Sequence, residues 1–489
     1  MRRPTQTAIG LALVAAVPRL AQLGTTSVWR NEAYSWHAAR LPVAQLVALP
    51  EQTPPLYNLL LHFWVGLFGD SEWAMRFPSV VLGCAVVAAT YWLGRRLLSE
   101  GAALVGAGLT IASFYLIRFS QTIRTNILFT LLALASAWFF LDLLQKRGGR
   151  GSQAGYVAAS AAMLYSHVHA LFFLFVEALV AVVVAARRRE PRLVRTLAGL
   201  HALVGLLFLP WAGILLQRAA AVSQHFWIGR PTAETLKDTL RAFSGRDGGP
   251  AWVWLGAAAF FGLFGWGLCA AWRGRRDAAD LRTGQKLKAH ERTLLLASWA
   301  ILPVAAPFLL SYIVAPFYEP FSSLPSWPAF FLLVGAGVAA LPRPGVRVAA
   351  CVVLAAVCAV NVAGIYTKPQ AEDWRSASAY LDANAKPGEL VLFNEGICGN
   401  STEALQCPYD YYRSRMDLRL VAFVDGYRDV TPAMAPGLRA AVANVTSLWV
   451  LYTPPGRDPQ GIIATTLAER FRVNGGQTFN DLRLVHWSA

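Results

Sequence analysis

Trp29-Arg30-Asn31-Glu32-Ala33-Tyr34 opens a stretch that closes on Thr53-Pro54-Pro55-Leu56-Tyr57, and apolar sequence lies on both sides of it. The runs near 5–24 and 77–97 have roughly the 17–22 residues a helix needs to cross about 30 Å of hydrocarbon. Working outward, comparable runs fall near 101–118, 126–144, 153–170, 170–187, 196–217, 251–272, 293–314, 325–341 and 346–366, about eleven in all. The 489 residues are 55% hydrophobic and 15% charged, where a soluble domain carries about 25% charged residues. These features predict a polytopic α-helical membrane protein.

The net charge of +16 does not mark a nucleic-acid binder, because the basic residues sit in short clusters between apolar runs and not along one face. With the N-terminus placed inside, Arg2/Arg3, Arg95/Arg96, Lys146/Arg147/Arg150, Arg187–Arg189 with Arg192 and Arg195, the 273–292 loop and Arg343/Arg347 all fall on one side, as the positive-inside rule requires. An odd number of spans then puts the C-terminal segment outside, beyond a cytoplasmic (inner) membrane. The first run contains Arg19 and lacks a small-residue cleavage site, so it reads as a retained helix.

The opening stretch therefore faces outside. Segments 34–49 and 56–68 carry apolar residues at helical spacing with Trp, Tyr and His among them, which predicts helices lying in the membrane interface, broken apart at Pro54-Pro55. A carboxylate between them sits at headgroup depth. Two guanidiniums, Arg118 and Arg124, bracket the outside turn between the third and fourth runs. Snorkelling explains a lone arginine there; two on the side where positive charge is scarce suggest an anion site, since guanidinium pairs well with phosphate. Another outside turn reads Tyr165-Ser166-His167-Val168-His169, best taken as interfacial hydrogen-bonding histidines. The polar 218–250 loop could cover the site. Glu72 is expected to pair with Arg76 four residues on.

From 368 the composition changes. Glu372-Asp373-Trp374-Arg375 starts an amphipathic helix to about Asn384, and strand-like runs at 389–393, 418–423 and 447–452 alternate with helical stretches near 432–444 and 459–470. This predicts a small α/β domain, 368–489, with a largely parallel sheet, following a membrane domain at 1–367 whose outside loops are 25–76 and 218–250. Cys398 and Cys407 lie close together in this outside region, where disulfides persist, and are expected to bridge. Cys84, Cys269, Cys351 and Cys358 lie in or beside apolar spans as filler.

The order of parts resembles the C-type membrane glycosyltransferases, in particular the bacterial branch of glycosyltransferase family 39. It is carried by the acidic loop after the first span, Pro54-Pro55-Leu56-Tyr57, the run Gly69-Asp70-Ser71-Glu72-Trp73-Ala74-Met75-Arg76-Phe77-Pro78-Ser79, Arg124, Tyr165-Ser166-His167, and Glu372-Asp373-Trp374-Arg375. The chain departs from the family pattern at Asn31, where an acid is usual, at Thr53 in place of His, at Thr122 and Asn126, and at Phe321-Ser322.

The resemblance implies transfer of a sugar from a polyprenyl-phosphate donor to a hydroxyl of an extracytoplasmic acceptor, beside membrane lipid and without nucleic acid. Glu32 is then the expected base, with an interfacial pairing role as the alternative, and Asn31 would orient substrate through its amide. Arg124, Arg118 and Arg76 would hold the donor phosphate, and Tyr34, Thr53, Tyr57 and His167 would line the substrate loops. A divalent metal stays open, with Glu32, His37 and His167 as contributors, though their spacing is no signature. Two other readings compete: a non-catalytic relative that binds a lipid-linked glycan, motivated by the altered positions, and a transporter, against which stands the lack of paired broken spans.

Overall fold

The computed structural model describes residues 2–49, 54–145, 149–222, 228–245, 249–274, 287–369, 371–394, 407–423, 429–453 and 458–489. The chain begins with α1 (Arg2–Leu20), three short helices α2 (Arg30–Arg40), α3 (Val43–Ala48) and α4 (Leu56–Phe68), then α5 (Glu72–Leu97). Next come α6 (Glu100–Ala112), α7 (Phe114–Ser120), α8 (Asn126–Leu144), α9 (Arg150–Leu164), α10 (Ala170–Arg188) and α11 (Pro191–Val222). The bundle is completed by α12 (Ala233–Ser244), α13 (Pro250–Arg273), α14 (Ala289–Ile313), α15 (Ser326–Ala339) and α16 (Pro344–Thr367).

Every predicted apolar run is helical, but fewer qualify as spans than the sequence suggests. Among the described residues, α5, α8, α10, α11, α13, α14 and α16 are long and apolar enough to cross a membrane, and α6 with α7, bent by 57°, makes an eighth. The shortfall from eleven has physical causes. Charge at Arg2, Arg3 and Arg19 weakens α1, while α9 has 15 residues and α15 has 14. The α15 helix is apolar all round and buried along its length, the pattern of a core helix. Backbones close up on it: a Cβ on Gly335 would stand 2.3 Å from the Ala102 carbonyl, and one on Gly267 1.9 Å from the Leu333 carbonyl, the close approach that small residues permit between helices in lipid.

Arg19 accounts for the bend between α6 and α7. Its guanidinium, fully buried, donates to the Thr110 and Ile111 carbonyls at 3.1 and 3.3 Å and to Ser120 Oγ at 3.1 Å. Carbonyls freed where α6 ends thus find a donor inside the bundle, which backbone at membrane depth requires. Gln121 Nε2 returns the favour by donating to the Pro18, Arg19 and Ala21 carbonyls at the end of α1.

The C-terminal part holds α17 (Trp374–Asn384), α18 (Cys407–Tyr412) and a five-stranded sheet of β1 (Leu390–Phe393), β2 (Arg419–Ala422), β3 (Ser447–Tyr452), β4 (Arg472–Phe479) and β5 (Leu482–Ser488) in the order β2-β1-β3-β5-β4. Strands β2, β1 and β3 are parallel, while β5 and β4 pair antiparallel, so the sheet is mixed. The expected strands stop short of β4 and β5: β4 is exposed at every residue but Phe479 and carries Gly475-Gly476 at its centre, with no apolar alternation to announce it, whereas β5 does bury Leu482, Leu484 and Trp487. Cys398 and the side chain of Cys407 lie outside the described residues, as does Thr53.

This part sits on the end of the bundle that carries α2. Arg375 donates to the Thr25 and Gly24 carbonyls at 2.9 and 3.1 Å and pairs with Glu72. Arg30 pairs with Glu372 at 3.2 Å. The Tyr412 hydroxyl accepts from the Val28 amide at 2.6 Å and donates to Glu72, and Tyr411 donates to the Asp70 carbonyl at 2.9 Å. Glu72 is therefore a docking point for the C-terminal part, and its expected partnership with Arg76 does not form.

Candidate active site

Two arginine-centred sites occupy this end of the bundle. The first is closed. Gly69, at φ +79°, ends α4, and Ser71 caps α5 by accepting from the Ala74 amide at 3.3 Å. That cap sets Arg76 on the inward face of the second turn. Arg76 is 2% exposed and Glu32 fully buried. Arg76 Nε donates to Glu32 Oε1 at 3.0 Å and Nη2 to Oε2 at 2.6 Å. Its remaining donors reach the Leu23, Thr26 and Ser27 carbonyls at 3.0, 2.8 and 3.1 Å. All five N–H groups of a guanidinium are spent, and the Ile123 amide adds a further bond to Glu32 Oε1 at 3.0 Å.

The second site is open. The Ile123 amide bond fixes the turn before α8, so that Arg124 follows half-buried. Arg124 Nη1 makes one long bond, 3.4 Å, to the Asn31 carbonyl, leaving most of its donor fork available. Thr125 Oγ1 donates to the Ser166 carbonyl at 3.0 Å, and the Leu56 amide to the Tyr165 carbonyl at 3.0 Å, which draws the Pro-Pro-Leu-Tyr turn and the 165–169 turn to the same place. Tyr57 is buried, its hydroxyl 3.1 Å from Ser79 Oγ. His167 stacks on Phe129 with ring centroids 5.0 Å apart, and its Nδ1 accepts from the His169 amide at 3.2 Å. Burial, with His169 and Arg124 beside it, holds His167 well below the usual histidine range; burial pulls His169 down to about 4. Both rings are neutral at pH 7, so the positive charge here is Arg124's.

A last segment closes the ring. Between α14 and the short turn Pro320–Ser323, Phe317 lies 6.1 Å from the His169 ring, Tyr318 shares a 2.8 Å bond with Thr239 Oγ1, and Phe321 lies 5.7 Å from Phe119. Glu319, half-buried between these anchors, is pushed up to about 7 by burial, against the pull of the Arg124 charge.

Residues 52–213 match the family model described as dolichyl-phosphate-mannose-protein mannosyltransferase. The structure superposes on that of ArnT from Cupriavidus metallidurans bound to undecaprenyl phosphate with a TM-score of 0.62 at 14% identity, covering 99% of this chain and 98% of that one. An oligosaccharyltransferase from Archaeoglobus fulgidus, tethered to an acceptor peptide, gives 0.51 at 12% identity, covering 91% and 69%. The chain has the C-type membrane glycosyltransferase fold. By sequence, no curated protein matches it.

In this C-type glycosyltransferase fold the expected site residues part company. Asn31, Arg124 and His167 come together, with Tyr34 and Tyr57 in the adjoining helices. Arg76 is corrected: with no donor left and almost no exposure, it has nothing to offer a phosphate. Glu32, expected as the base, is enclosed and clamped, and no incoming hydroxyl reaches it in this arrangement. Arg118 lies half-buried in the last turn of α7, engaged in contacts of its own. Among the described residues no group of three or more His, Cys, Asp or Glu side chains converges to hold a metal ion, and Glu32, His37 and His167 form no such set. Glu319 escaped the sequence reading, which looked only at the neighbouring Phe321-Ser322.

Proposed function

We propose that this chain is a membrane glycosyltransferase that moves a sugar from a polyprenyl-phosphate donor to a hydroxyl of a glycan, lipid or protein outside the cytoplasmic membrane, with the N-terminus inside and the C-terminal domain outside. One observation carries the reading: Arg124 stands half-buried with most of its guanidinium unspent, at the end of an apolar bundle whose basic loops lie at the other end. An unspent guanidinium in a partly dry setting binds a phosphate and stabilises the charge that builds on it as the sugar departs. The ArnT relative was captured with undecaprenyl phosphate, a ligand of the class proposed. Asn31, whose backbone carbonyl meets Arg124, would orient donor sugar or acceptor through its amide. The Glu32–Arg76 pair serves as the post that fixes both.

The test is transfer of radiolabel from undecaprenyl-phosphate-linked mannose, arabinose and aminoarabinose into the acceptors of native membranes, parent against Arg124→Ala. Transfer by the parent from at least one donor, lost in the variant, supports the reading. A parent that binds undecaprenyl phosphate but transfers from none favours a second reading, a non-catalytic glycan-lipid binder. The observation behind that reading is the first loop itself, whose Asn31 cannot take up a proton and whose Glu32 is sealed.

A further inference from the structure

We propose that Glu319 is the general base of the transfer, taking over the task for which the first loop has no accessible carboxylate; the inference rests on the transfer reading above. Other carboxylates at this end are already engaged, Asp410 by Arg413 at 2.9 Å among them. Glu32 is held by Arg76, Glu72 by Arg375 and Tyr412, Asp70 by Trp36 Nε1 at 2.9 Å, and Glu372 by Arg30 and by Trp374 Nε1 at 2.6 Å. On α12, Glu234 and Asp238 pair with Lys237 and Arg241. Among the described residues no donor engages the Glu319 carboxylate, although it is half-buried. A carboxylate partly withdrawn from water holds its proton more tightly, and active sites are where such groups are found.

Its backbone is not free to drift. Phe317 is set against His169, Tyr318 is tied to Thr239, and Phe321 meets Phe119, so residues on both sides of Glu319 are pinned to three different elements. Two of these elements, the 165–169 turn and α7, lead into the Arg124 site, and the Arg124 charge is felt at Glu319. Arg124 is the charge that acts on Glu319; the elements packed against its segment also carry the neutral His167 and His169, Arg118 and Tyr115 of α7, the internally paired charges of α12, Tyr318 itself, and Tyr312 in the last turns of α14, which donates to the Pro231 carbonyl. A base whose affinity for protons lies near 7 is matched to work at neutral pH.

Glu319 Oε takes the proton of the acceptor hydroxyl as that oxygen's lone pair bonds to the anomeric carbon. The bond from that carbon to the phosphate oxygen breaks, its electron pair stays on the phosphate, and the polyprenyl phosphate leaves beside Arg124. Glu319 then returns its proton to water.

The experiment uses the full chain in native membranes and whichever donor of the panel above the parent accepts. Glu319→Gln keeps shape and removes the base: transfer is expected to fall at least about 100-fold, while binding of undecaprenyl phosphate and the thermal unfolding midpoint in detergent stay at the parental values. In the parent, the rate rises with pH through about 7 as Glu319 loses its proton. The residual rate of the Gln variant lacks that limb, and Glu319→Asp restores both part of the rate and the limb. A Gln variant within about threefold of the parent overturns the assignment, as does one that loses lipid binding in step with transfer. A parent that transfers from no donor removes the transfer reading, and this inference falls with it.

Discussion

Two Arg–Glu arrangements stand at the same end of the bundle and differ in what surrounds them. Around Arg76 and Glu32 every donor is matched to an acceptor and water is shut out; around Arg124 and Glu319 the groups are half-exposed and largely unspent. The closed site has the chemistry of a structural post, since a buried charge pair is tolerated only when its remaining hydrogen bonds are met. The open site has the chemistry of a place where ligands finish the bonding. A charged residue near a reaction centre is therefore identified less by its type than by how many of its bonds the protein already uses.

The sharpest way to break this contrast is to remove half of the closed pair. Arg76→Ala leaves Glu32 as an unpaired buried carboxylate and should cost about 3–5 kcal/mol of stability, read as a large drop in thermal unfolding midpoint. A parental midpoint with transfer abolished would instead move Arg76 to the reactive side. Next in size is Arg124→Ala, which should lower transfer by about 10²–10³-fold, the scale of losing one preorganised donor to developing negative charge, with the unfolding midpoint unchanged. A midpoint loss as large as that of Arg76→Ala would erase the distinction between the sites.

A smaller effect is expected at the docking contact. Tyr412→Phe removes the hydroxyl that links the Val28 amide to Glu72 and should destabilise the docked C-terminal domain by about 1.5–3 kcal/mol, as for a hydrogen bond to a charged group. Limited proteolysis near residue 370 would report it. At the bottom of the scale, Arg439→Ala breaks the exposed pair with Glu469, where solvent screens the interaction, and neither stability nor transfer should move.

How far the sequence could be read follows from the range of the interactions involved. Apolar runs announce helices locally, and each of them is a helix. Whether a helix spans depends also on what packs around it, and α15 shows the difference: its apolar residues bury against α6 and α13. Partner choice was less legible. Four-residue spacing favours Glu72–Arg76 on a helix surface, but Glu32, 44 positions away, offers Arg76 a bidentate and desolvated partner, and Arg375 takes Glu72 from 303 positions away. Such competition is decided in three dimensions. Glu319 carries no motif around it; its signal is a half-buried carboxylate without a donor, a property that exists only after folding. Strand β4 is illegible for the opposite reason, since an edge strand exposed at every residue but the last, with two central glycines, has no hydrophobic code to read.

The docking of Arg375 and Tyr412 onto residues 24–28 has a consequence for the timing of synthesis. The loop carrying Asn31 leaves the ribosome among the earliest segments, yet the groups that hold its start come 350 to 384 residues later in the chain. Until they arrive, the Gly24 and Thr25 carbonyls and the Val28 amide lack these partners. The first loop to be made is the last to be finished, and a nascent chain that has inserted its helices does not yet have the complete site. Order of assembly thus ties completion of the first loop to the arrival of the C-terminal part.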